Sequence, residues 1–149
     1  MKRILTVLLL IFFLSSFGQS GQIDSLRKVV ETTKSDTTKV QALFAWDELI
    51  YLSNPQLDNE LNLQIAQISE RNLKSNKGIS EEEVEFFKDN LSNAYNVLGI
   101  NQDDLGNYAE ALDYYYKAIW ISEQRNDIDK VASIQNNIGL IHEKLGDND

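Results

Sequence analysis

The stretch from Ser92 to Glu123, SNAYNVLGINQDDLGNYAEALDYYYKAIWISE, leaves this chain few folds to choose from. Tyr95, Leu98 and Gly99 fall on one face of a first helix. Tyr108, Ala111, Leu112, Tyr115, Ala118 and Ile119 fall on one face of a second, at spacings of three and four. Gly106-Asn107 supplies the turn between them. Gly99 and Ala111 are small where two helices must cross closely, whereas Tyr95 and Tyr115 are large enough to fill the gap. In the run Tyr114-Tyr115-Tyr116 only Tyr115 can face the core, which leaves Tyr114 and Tyr116 half exposed, as aromatic residues in contact surfaces often are.

The pattern recurs. Ile138-Gly139 and Leu145-Gly146-Asp147 repeat Leu98-Gly99 and Leu105-Gly106-Asn107, and both glycines return after 40 residues. A degenerate earlier copy spans about 37–74, where Ile68-Ser69-Glu70 echoes Ile121-Ser122-Glu123 at an offset of 53. Under that alignment Asp58 stands where the clear copy has the small Ala111.

These residues resemble the tetratricopeptide repeat, with Tyr95 as its first aromatic, Leu98-Gly99 as its Leu-Gly pair, Ala111 and Tyr115 as its Ala-x-x-x-Phe step and Ala118 as its later alanine. Gln102 replaces the usual Tyr, and Glu123 stands where Pro is common, so the second helix is expected to run on to about Arg125. The 40-residue spacing exceeds the family's period of about 34. That places the chain beside longer-helix relatives, with the extra length near Arg125-Asn126-Asp127. The resemblance implies an all-α fold, antiparallel helix-turn-helix repeats stacked as a short right-handed α-solenoid. The domain would cover 19–149, with a degenerate repeat at about 37–74, a clear one at about 92–125 and an incomplete one at about 132–149. Its repeat core would be Tyr95, Leu98, Gly99, Tyr108, Ala111, Tyr115, Ala118, Ile138 and Gly139.

The resemblance also implies a peptide-binding groove lined by the first helix of each repeat. The matching positions are Asn96, Ile100 and Asp103 in one copy and Asn136, Leu140 and Glu143 in the next. An asparagine both donates and accepts, so Asn96 and Asn136 in register suit the backbone of an extended peptide. Asn96 and Asp103 stand where a clamp for a terminal carboxylate would need cations, which favours a neutral or basic peptide.

The other segments read as helices too. Gln22 to Thr33 is a short helix with Ile23, Leu26, Val29 and Val30 inward. Asp36 is placed to cap a helix over about 37–52, whose Val40, Leu43, Phe44, Ala45, Trp46, Leu49 and Ile50 make a broad buried side. Asn54-Pro55 opens the next, to about Asn72, with Leu57, Leu61, Ile65 and Ile68 inward. Ser80-Glu81-Glu82-Glu83 is a capping box that starts a helix of about 25 residues ending at the Gly106 turn. Asn126 or Asp127 caps the last helix, with Val131, Ile134, Ile138, Ile141 and Leu145 inward.

Residues 1–18 read as a secretory signal. Lys2 and Arg3 precede an uncharged run from Ile4 to Leu14, shorter than the ~20 residues of a membrane span, and cleavage is expected between Gly18 and Gln19. The alternative is an uncleaved anchor; a lipid anchor is excluded because no Cys follows. The expected location is the periplasm or the medium, with no membrane span in the mature chain. The net charge is −9, or −11 without Lys2 and Arg3, which disfavours nucleic acid and anionic lipid.

No catalytic set, cofactor motif or metal spacing stands out. His142 is the only histidine, Asp103-Asp104 reads as an acidic pair at a helix end, and the chain has no cysteine. The expectation is a non-enzymatic module that binds a protein or peptide partner. The alternative is the N-terminal sensor part of a larger signalling protein, a histidine kinase or transcriptional regulator. The last helix is expected either to act as a solvating end cap or to await a further helix. In the second case self-association through Ile141 and Leu145 is expected.

Overall fold

The computed structural model describes residues 19–75 and 78–146, and every regular element among them is a helix. Helix α1 covers residues 19–32, followed by α2 (Asp36–Ile50), α3 (Pro55–Ser75), α4 (Glu81–Asp104), α5 (Tyr108–Gln124) and α6 (Ile128–Leu145). The expected signal lies outside the described residues. Among them no helix is long and apolar enough to cross a membrane.

Local chemistry sets the boundaries. Ser35, rather than Asp36, caps α2 by accepting from the Thr38 amide, and Asp36 instead anchors Arg71 (2.9 Å) and Asn72 (2.8 Å) of α3. Those donors hold the Asp36 carboxyl below its ordinary range, Asn72 contributing most. Asn54 accepts from the Leu57 amide in front of Pro55. The capping box forms at Ser80, whose hydroxyl accepts from Glu83 while Glu83 reaches back to the Ser80 amide. Asp127 caps α6 at the Lys130 amide. Gly106 and Gly146 both close their helices with φ of +76°, a conformation that costs an L side chain about 1–2 kcal/mol.

Each helix from α2 to α6 packs on its chain neighbours, and α4 also touches α2 and α6. Cross-links show the directions. Glu85 and Asp89 of α4 meet Arg125 just beyond the end of α5, and Gly99 meets Tyr115, so α4 and α5 run antiparallel. Between α4 and α6, Lys130 meets Asn93, Asn137 meets Asn96 (3.3 Å) and Lys144 meets Asp103 (2.7 Å), an ascending order that makes these two helices parallel.

One buried cluster joins α2, α3, α4 and Ile121, and a second joins α5 and α6 through Ala111, Tyr115, Ala118, Ile134, Ile138 and Ile141. The 53-residue echo persists in three dimensions: Ile68 and Ser69 are buried like Ile121 and Ser122, and Asp58 is buried like Ala111. Ser92 and Ser122 share a buried hydroxyl contact of 2.7 Å, and Ser92 also donates to the Ala118 carbonyl. Three inward expectations fail, at Val29, Phe44 and Leu145. Phe44 and Val29 lie on exposed flanks. Ile141 is buried inside the α5–α6 cluster, so it cannot be the exposed residue through which copies associate; Leu145 is exposed.

Candidate binding site

The residues expected in the repeat core are mostly there. Leu98, Gly99, Ala111, Tyr115, Ala118 and Ile138 are buried, and Tyr95 and Tyr108 are partly buried. Gly139 is not in the core. It is exposed, and a Cβ built on it meets nothing within 4 Å.

The expected groove residues divide. Asn96 and Asp103 are engaged sideways by Asn137 and Lys144, so they help to hold α4 to α6. Ile100, Asn136, Leu140 and Glu143 are exposed. The side chain that meets Asn96 is thus Asn137 and not its repeat mate Asn136.

A concavity lies elsewhere. The backbones of α3 and α5 share no close approach, and the gap between them is floored by α4. The resulting cleft has a volume of about 800 Å³, within the range of ligand and peptide pockets. Leu73 of α3, Val84, Leu91 and Tyr95 of α4, and Ile121 of α5 form its apolar surface. Tyr116 and Trp120, one turn apart on α5, stand at its edge with 56% and 65% of their surfaces exposed. Large aromatic groups left in solvent beside an apolar cavity are the usual anchors of a protein contact.

A polar cluster crosses the cleft. The Tyr95 hydroxyl donates to Glu70, and Lys74 pairs with the same carboxylate at 3.0 Å. Lys117 pairs with Asp113 at 2.5 Å and lies over the rings of Tyr95 (5.8 Å) and Tyr114 (5.3 Å). Tyr95 and Lys74 hold Glu70 below the ordinary carboxyl range, while burial and then Glu70 push the Tyr95 phenol far up. Tyr95 is therefore a neutral donor at any physiological pH. The lysines lining the cleft, Lys74, Lys88 and Lys117, each have an acidic partner on their own helix, so its charges are internally matched.

Sequence reading singled out Tyr116 only as a half-exposed aromatic and did not single out Trp120. Trp120 follows Ala118-Ile119 at a position outside the core stripe, and a bulky apolar residue on the wet side of an amphipathic helix is the signal that marks it. Among the described residues no group of three or more His, Cys, Asp or Glu side chains gathers to hold a metal. Comparison of the chain with family models, with curated proteins and with solved structures finds no match in any of the three.

Proposed function

We propose that the chain is a non-enzymatic binding scaffold of tetratricopeptide type, its helical hairpins stacked as a short right-handed α-solenoid, and that it receives an apolar segment of a protein partner. The cleft between α3 and α5 carries this reading, with Tyr116 and Trp120 held open beside an apolar floor. Matched charges along the lining favour a segment that brings aliphatic or aromatic side chains rather than net charge. The parallel pairing of α4 with α6 supports the stacked arrangement, since first helices of successive repeats lie side by side in such arrays. With the leader expected at residues 1–18, the scaffold works outside the cytoplasm.

Trp120 supplies the test. The other tryptophan, Trp46, is buried, so a Trp46→Phe variant reports on Trp120 alone. Peptides selected from a random display library against the chain are expected to shift Trp120 emission to the blue. They should lose at least tenfold in affinity on Trp120→Ser, and keep it on Leu140→Ser. Peptides that respond to Leu140→Ser and Asn136→Ala but not to Trp120→Ser would move the site to the α4–α6 face. Failure to enrich any peptide over the naive library would remove the reading.

A further inference from the structure

Where α2, α3 and α4 meet, the core contains two carboxyl groups. Asp47 of α2 is 6% exposed and Asp58 of α3 is 3% exposed, and they lie within hydrogen-bonding reach of each other. Asp58 is well supplied with donors: the Asn101 amide of α4 at 2.5 Å and the Asn62 amide of its own helix at 3.3 Å. Asp47 is less well supplied: its Oδ1 has no hydrogen-bond partner, and of the side chains acting on it only Asn62 favours its charged form. Among the described residues no lysine or arginine forms an ion pair with either group. The charged side chains acting on Asp47 are Asp58 across the helix interface and Glu48 beside it, both acidic, and Asn101 of α4 donates to Asp58.

Two buried carboxylates in contact, with no cation, cannot both stay ionised without a large cost. We propose that the buried Asp47–Asp58 pair holds one shared proton, and that this proton makes the α2–α3–α4 junction tighten as the medium becomes acidic and loosen as it becomes alkaline. Burial, followed by the contact with Asp58, pushes Asp47 up to about 7, so the proton is exchanged near neutrality. The folded state then binds a proton that the unfolded chain releases at its ordinary value of 3.8. Stability from this proton is complete below that value and is lost as the pH rises to about 7.

The test compares thermal melting of the wild-type chain and of Asp47→Asn across pH 4.5 to 8.5 in metal-free buffer. An amide at position 47 offers Asp58 a permanent hydrogen-bond donor. The variant is expected to match the wild type at the acidic end and to melt higher by roughly 5 °C or more at pH 8, the gap opening between the two. Carboxyl carbon resonances of the wild type should show Asp47 titrating near neutrality, a reading that needs no variant to fold. A gap that does not change with pH, or an Asp47 resonance titrating near 4, would overturn the proposal. So would a rise in the wild-type melting temperature at pH 8 on adding calcium or magnesium that Asp47→Asn abolishes, since the pair would then be a seat for a cation.

Discussion

Gly99 and Gly139 occupy the same position in two copies of one pattern, and their surroundings are opposite. At Gly99 the ring of Tyr115 presses so close that an added Cβ would lie 2.6 Å from Cδ1 and Cε1. At Gly139 the same atom would meet nothing within 4 Å. Helix α5 crosses at the first and, among the described residues, no helix crosses at the second. The sequence motif is thus a requirement only where its partner is seated on it. A glycine in a helix interior costs up to about 1 kcal/mol relative to alanine. At Gly99 that cost is offset by the tight crossing, and at Gly139 the described residues offset nothing.

Substitutions can break this contrast. The largest effect is expected from Tyr115→Ala, which removes a fully buried ring from between α4 and α6 and should cost about 3–5 kcal/mol in urea unfolding. Next is Gly99→Ala, where the buried ring cannot move aside freely; a loss of about 1–2 kcal/mol is expected, the overpacking partly offset by better helix propensity. Made in the Tyr115→Ala background, the same change should turn neutral or stabilising, because the atom it collides with is gone. A double-mutant cycle reads that coupling directly. Gly106→Ala should cost about 1 kcal/mol through its positive φ alone, independent of Tyr115. The smallest change, of opposite sign, is Gly139→Ala, which should stabilise by about 0.5–1 kcal/mol. Equal responses at Gly99 and Gly139 would mean that α5 does not bear on α4 as described.

Much of the helical layout could be read from local chemistry. The Ser80 capping box, the Asn54-Pro55 start, the Gly106 turn and the inward Tyr115 all depend on residues within a turn or two of each other. The features that escaped depend on distance in sequence. Ser35 took the cap expected of Asp36 because α3 brought Arg71 and Asn72 to that carboxylate. Asp58 was recognised as standing in an alanine's place, yet its neighbour Asp47, from another helix, gave no signal. The cleft is a gap between α3 and α5, elements that are not consecutive, so no periodicity records it. Of the expected groove residues, Asn96 and Asp103 lie in the α4–α6 contact, whose partners Asn137 and Lys144 come from a helix about 40 residues away in sequence.

The separation of α3 from α5 has a mechanical consequence. Each is fastened to α4, and neither is fastened to the other by packed backbone. Helices that share a common neighbour in this way can alter the gap between them by small sliding on it, with Ile121 as the α5 residue in the cluster shared with α3. The polar contacts beside the opening both run through α4: the Tyr95 hydroxyl reaches Glu70 of α3, and Lys117 of α5 lies over the Tyr95 ring. Under the proposed function, segments of somewhat different thickness would fit between α3 and α5 against Tyr116 and Trp120.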